Sequence, residues 1–93
     1  MFKNDINYLD QHFLIDDNII NEFINICSLN KNDCVVEIGP GKGLLSKLIK
    51  SKVKNLILIE KDIRLKKYLD KLNINVIYDN VLDIEIPKCN KII

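Results

Sequence analysis

The chain contains no tryptophan, alanine or threonine, and only two prolines, three glycines and one histidine. The missing alanine and threonine, beside abundant isoleucine, lysine and asparagine, read as the composition of an AT-rich genome rather than a functional signal. No run approaches the roughly 18 apolar residues of a membrane span. The opening Met1-Phe2-Lys3-Asn4-Asp5 lacks a signal peptide's apolar stretch, so a cytoplasmic protein without a membrane partner is expected. Cys27, Cys34 and Cys89 are odd in number, widely spaced and without a Cys-x-x-Cys pair, which argues against a disulfide framework or a zinc site. No metal is expected, and the thiols read as packing residues. His12 is the lone histidine, and no serine, cysteine or carboxylate pattern around it suggests a triad.

What is present is a chain of 93 residues, enough for one small domain and not two. Its apolar share of 47% can build a core, and 29% charged residues argue against disorder. Asp16 and Asp17 can cap a helix whose face is Ile19, Ile20, Phe23, Ile24 and Cys27. After a polar break at 30–33, the run 34–38 reads as a buried parallel strand, apolar except for Glu37. Leu44, Leu45, Leu48 and Ile49 mark a second helix, and 56–59 a second strand. Asp62 can cap a third helix with the stripe Leu65, Tyr68, Leu69 and Leu72. Val76 and Ile77 read as a third strand, 79–87 as a loop, and 91–93 as the start of a fourth strand. Helix and strand alternate throughout, which predicts an α/β fold with a parallel sheet and right-handed crossovers. Taken alone, such a sheet would leave an unpaired apolar edge.

The stretch with chemical meaning is Glu37-Ile38-Gly39-Pro40-Gly41-Lys42-Gly43, followed by a second strand that ends at Glu60. A buried strand, a glycine turn, a helix and a strand closed by a carboxylate form the layout of a nucleoside-binding α/β unit. Gly39 and Gly41 fall where the backbone must turn and a ligand must approach without a Cβ in the way. An ordinary strand-to-helix turn is the competing explanation, but the context around this motif is more restrictive than a bare Gly-x-Gly. The dinucleotide fingerprint wants a third glycine three residues after the second, where this chain has Leu44. Pro40 removes one N–H from the loop, a poor choice for cradling a pyrophosphate. Glu37 and Glu60 are expected to bracket the pocket and suit a cation. These points favour S-adenosylmethionine, a sulfonium, over NAD.

Glu60 is placed to accept hydrogen bonds from both ribose hydroxyls, although a capping or solvated acid is the simpler alternative. Asp79, Asn80 and Asp83 follow the third strand, where an oxygen could accept from the adenine amino group. All three are also ordinary turn residues, and position alone does not choose among them. Charge is uneven despite a net of +1: residues 42–71 carry ten bases against three acids. That segment could face RNA, but lysines solvating two outer helix faces is the preferred explanation.

Gln11-His12-Phe13-Leu14, Glu37-Ile38-Gly39-Pro40-Gly41, the strand ending at Glu60, and Tyr78-Asp79-Asn80-Val81-Leu82 together resemble the ribosomal-RNA adenine dimethyltransferases. The glycine motif is shared with many methyltransferases, whereas the Gln-x-Phe-Leu element is more specific. The resemblance implies a Rossmann-like class I methyltransferase fold and the N6,N6-dimethylation of adenosines in small-subunit rRNA. It also implies that Gln11, His12 and Leu14 lie at the cofactor, with His12 and Leu14 flanking it. Gly39 would lie under the methionine part, with Gly41 in the same loop, while Glu60 would hold the ribose and Asn80 meet the adenine. The family often has Asn at His12 and usually Asp at Asn80. Its catalytic Asn-(Leu/Ile)-Pro-(Tyr/Phe) element should follow the fourth strand, where this chain stops. Residues 1–93 are therefore expected to be the N-terminal, cofactor-binding part of the enzyme, inactive alone, and no catalytic residue is assigned. The rivals are a class I methyltransferase with another substrate, and a non-catalytic remnant that binds cofactor weakly or not at all. An NAD-dependent oxidoreductase fits least well.

Overall fold

The computed structural model describes residues 17–93. Helix α1 (Asp17–Cys27) leads through a polar turn into strand β1 (Cys34–Ile38). Helix α2 (Leu44–Lys52) and strand β2 (Asn55–Glu60) follow. The expected third helix is a single turn, α3 (Lys66–Leu69), with 3-10 turns Ile63–Leu65 before it and Asp70–Leu72 after it. Asp62 caps this segment as anticipated: its side chain accepts from the Arg64 N–H. The segment ends at Asn73, which takes the left-handed conformation that asparagine tolerates. Strand β3 (Asn75–Tyr78), a 3-10 turn at Val81–Asp83 and strand β4 (Lys91–Ile92) complete the order.

The sheet order is β3-β2-β1-β4, and every pairing is parallel. Val36 stands level with Ile57 on one side and with Ile92 on the other. Because side chains alternate along a strand, this register puts Val35, Leu56 and Leu58 on one face. There they join Ile49 of α2 and Leu69 of α3 in the main core, with Ile24 of α1 packed against it. Each fully buried Leu or Ile contributes about 1.5–3 kcal/mol. The opposite face carries Val36 and Ile59, both buried, but also Ile38 and Ile92, which stay exposed.

Two features fix the two ends of this frame. Gly43, just before α2, has φ +83°, and a Cβ there would sit 2.3 Å from Leu72 Cδ1 and 2.9 Å from Leu69 Cδ2. The third glycine of the loop thus lets α2 begin against the α3 segment. At the lower end, the buried Asp33 carboxylate accepts from Asn90 Nδ2 (2.8 Å), Lys91 Nζ (2.8 Å) and the Asn30 N–H (2.9 Å). Lys91 Nζ also donates to the Ser28 carbonyl. The segment before β4 is therefore pinned to the turn before β1.

Candidate functional site

Open α/β sheets bind ligands beyond the carboxyl ends of their strands. There a cleft of about 380 Å³ is lined by Ile38, Gly39, Ile59, Glu60, Lys61 and the stretch 79–82. A second cleft of similar size, about 360 Å³, lies at the opposite ends of the strands, among Cys34, Asn55, Asn75, Lys50 and Lys88. It contains none of the residues singled out from the motif, and it lies at the end of the sheet where such folds do not bind cofactors.

The glycine loop forms one wall of the upper cleft. Gly39, Gly41 and Gly43 have φ of +67°, +62° and +83°, values that side chains with a Cβ rarely adopt. A Cβ on Gly39 would meet nothing within 4 Å, so open space lies above this residue. The loop's hydrogen-bond donors turn inward. Gly39 N–H donates to the Ile59 carbonyl (2.9 Å), Gly43 N–H to the Pro40 carbonyl (3.0 Å) and Gly41 N–H to Glu60 Oε1 (3.2 Å). Pro40 has no N–H to offer. A loop that spends its donors internally is poorly equipped to cradle a pyrophosphate, in agreement with the spacing argument.

Glu60 is only 6% exposed and does two jobs. Its Oε1 takes the Gly41 N–H and its Oε2 takes the Asp62 N–H at 3.0 Å, tying the glycine loop to the turn after β2. A carboxylate offers about four lone-pair sites, so roughly two remain for a ligand's hydroxyls. The structural alternative considered for Glu60 and the ligand-facing one are thus compatible. Asn80 is similar. Its Oδ1 accepts from the Leu82 N–H at 2.9 Å, which starts the 3-10 turn, and the residue still lines the cleft.

Glu37 does not stand where the sequence argument put it. The strand alternation turns it toward α2, where it is 5% exposed and accepts a 2.6 Å hydrogen bond from Ser46 Oγ. It is absent from the cleft lining. Burial raises its pKa above the ordinary glutamate value, and the Ser46 hydroxyl acts in the opposite direction. Among the described residues, the acids that face the cleft are Glu60 and Asp79, and the one base in its lining is Lys61. The lining still favours a cation. Sequence reasoning missed Lys61 and Leu82, the latter 87% exposed on the rim. A bulky apolar residue two positions after the turn-forming Asp79-Asn80 pair was the available signal for Leu82. Gln11, His12 and Leu14 lie outside the described residues.

Solved structures share this architecture. A dimethyladenosine transferase from Plasmodium falciparum superposes with a TM-score of 0.74 at 24% identity, over 83% of this chain and 30% of that one. The 23S rRNA methyltransferase ErmE gives 0.67 at 31% identity, over 77% and 32%. Coclaurine N-methyltransferase, solved with SAH, gives 0.68 at 17% identity, which speaks to fold alone. Fold and cleft together define a Rossmann-like domain of the class I methyltransferase type.

The family model for ribosomal RNA adenine dimethylase matches residues 1–92. The ribosomal RNA small subunit methyltransferase A of Halothermothrix orenii is 42% identical over 82 residues, 83% of this chain and 27% of that protein. Its counterpart in Ureaplasma urealyticum is 34% identical over 84 residues, 86% of this chain and 30% of that protein. The chain belongs to the ribosomal RNA adenine dimethylase family. It spans about a third of the length of the curated relatives it matches.

Proposed function

We propose that residues 1–93 form part of the S-adenosylmethionine-binding domain of an enzyme that dimethylates adenosines in small-subunit rRNA. The curated relatives described above are named for the small subunit, which favours that target over the large-subunit rRNA of ErmE. The observation that carries the cofactor reading is the glycine loop: it approaches the cleft with open space over Gly39 while its N–H groups are held by the protein's own oxygens.

When bound, the cofactor supplies a methyl group already activated on a sulfonium. The chain's own residues bind and orient it. Gly39 and Gly41 allow close approach, Glu60 accepts from the ribose hydroxyls with its remaining lone pairs, and Asn80 borders the adenine. Ile38, Ile59, Val81 and Leu82 give the cleft apolar walls against which the cofactor can pack. Gln11, His12 and Leu14 are assigned to the same cofactor on the family pattern. Catalysis of this kind rests mainly on positioning.

Isothermal titration of the chain with S-adenosylmethionine, and separately with NAD, tests the reading. Heat of binding and thermal protection are expected with the first ligand and not with the second. No heat and no protection at millimolar S-adenosylmethionine would mark an inert remnant. Preference for NAD would return the loop to the dinucleotide class.

A further inference from the structure

Asn80 can meet an adenine only if the turn that carries it keeps its place beside Glu60. That turn follows strand β3, which lies at the edge of the sheet and among the described residues pairs with β2 alone. Backbone hydrogen bonds hold β3 from one side, and its last residue, Tyr78, stands level with Glu60. Local opening concentrates where few contacts hold the backbone. Within the turn, Asp79 Oδ1 accepts from the Asn80 N–H at 2.8 Å and Asn80 Oδ1 from the Leu82 N–H at 2.9 Å. Both bonds shape the turn without fixing it to Glu60. Its height above the sheet is set where it leaves β3, at Tyr78.

Tyr78 has a second attachment. Its Oη donates to Asp70 Oδ1 at 2.6 Å, and Asp70 Oδ2 is paired with Lys66 Nζ at 2.7 Å. The same Lys66 Nζ lies 4.8 Å from the centroid of the Tyr78 ring. Three side chains thus link the α3 segment to the end of β3. Core packing does not account for the link. The Tyr78 ring packs against the core that contains the fully buried Leu69, but a phenylalanine ring could do the same. Support for α3 does not account for it either. An i,i+4 pair helps a helix most when the acid precedes the base, and here the base comes first. Both partners are about half exposed, so as an isolated surface pair they contribute little. The ion pair holds the Asp70 carboxylate where the Tyr78 hydroxyl reaches it, and a charged acceptor makes the stronger hydrogen bond.

We propose that Tyr78, gripped by Asp70 and Lys66, is a positioning residue that fixes Asn80 at the adenine end of the cofactor cleft. This inference rests on the cofactor-binding reading above. Tyr78 itself does not line the cleft; Asp79 and Asn80, directly after it, do.

Tyr78→Phe keeps the ring and removes the grip. In isothermal titration it is expected to weaken S-adenosylmethionine binding by about two- to tenfold, the effect of one net hydrogen bond. In an Asp70→Ala chain the same substitution is expected to cost nothing further. In an Asn80→Ala chain it is expected to leave the remaining affinity unchanged, because the residue it positions is gone. No weakening in the natural chain, or equal weakening with and without Asn80, overturns the proposal. Hydrogen exchange without cofactor supplies a separate reading. Tyr78→Phe is expected to speed exchange of the Leu82 N–H while sparing the Lys54 N–H, which is bonded to the Asp33 carbonyl at the opposite end of the sheet. Equal acceleration at both would mean general loosening and sink the grip. An unaltered chain that binds no S-adenosylmethionine overturns the cofactor reading, and the exchange pattern then decides alone whether Tyr78 holds the turn.

Discussion

At Asn80 the chain has an amide where its family usually has a carboxylate, and the structure gives that amide two tasks. Its Oδ1 starts a 3-10 turn by accepting from the Leu82 N–H, and the same residue borders the cleft. A carboxylate could cap the turn equally well and would add charge toward an adenine amino group. Hydrogen bonds to charged groups exceed neutral ones by about 1 kcal/mol. Asn80→Asp is therefore expected to tighten S-adenosylmethionine binding roughly fivefold by isothermal titration. Unchanged or weaker binding would remove Asn80 from the adenine site. Among the described residues the sequence marked Gly39, Gly41, Glu60 and Asn80; all but Gly41 line the cleft, and Gly41 instead donates its N–H to Glu60. It could not show that Glu60 and Asn80 also hold backbone N–H groups, because loop closure is a three-dimensional matter. Glu37 was misplaced for a simpler reason: one step along a strand reverses the face, and the apolar run 34–38 hides which face is which. Ser46, fully buried between apolar helix positions, was the overlooked partner that fixes Glu37.

Among the elements, the glycine loop separates two uses of one residue type. Gly39 and Gly43 both have positive φ, so alanine costs about 1–2 kcal/mol of backbone strain at either. At Gly43 the new Cβ would also collide with Leu72 and Leu69, adding about 1–3 kcal/mol of overpacking. At Gly39 it would enter open space beside the cleft. Gly43→Ala is expected to lower the melting temperature by about 10 °C or more, from a shift of roughly 4–8 °C per kcal/mol in a domain of this size. Gly39→Ala should lower it by about half as much or less while losing most of the cofactor affinity. Equal melting temperatures for the two variants would contradict the contacts at Gly43. The elements themselves were largely legible, because parallel strands here are short apolar runs and the helices between them repeat at i, i+3 and i+4. The α3 segment was not. Its stripe was read correctly, yet only Lys66–Leu69 is α-helical, with tighter 3-10 turns on both sides. A hydrophobic stripe does not distinguish 3.0 from 3.6 residues per turn over so short a stretch.

Across the whole molecule, the sheet is held at its lower end by a cluster that the sequence presented only as a polar break. Asp33 joins the turn before β1 to Asn90 and Lys91, 57 and 58 residues later. Its carbonyl also accepts from the N–H groups of Lys54 and Asn55, so one residue ties three parts of the chain. Asn90 Oδ1 completes the arrangement by accepting from the Cys34 N–H at 2.6 Å. Among the described residues β4 has two residues and pairs with β1 alone, so this cluster adds to the backbone hydrogen bonds that attach it. The hydrogen bond from Lys91 lowers the Asp33 pKa most, followed by that from Asn90, taking it from 3.8 to about 2. A carboxyl whose pKa is depressed on folding stabilises the fold at any pH above its unfolded value. That contribution is fully present above 3.8 and is lost as pH falls toward about 2. Asp62 and Asp70 are shifted in the same direction by Arg64 and Lys66, so acid weakening of the unaltered protein alone would not isolate Asp33. The difference between the protein and its Asp33→Asn variant does. The variant is expected to melt lower at neutral pH, with the gap closing as pH falls from about 4 to about 2. A gap that stays constant over that window would mean that the Asp33 charge, and with it the Lys91 ion pair, contributes nothing to holding β4 in the sheet.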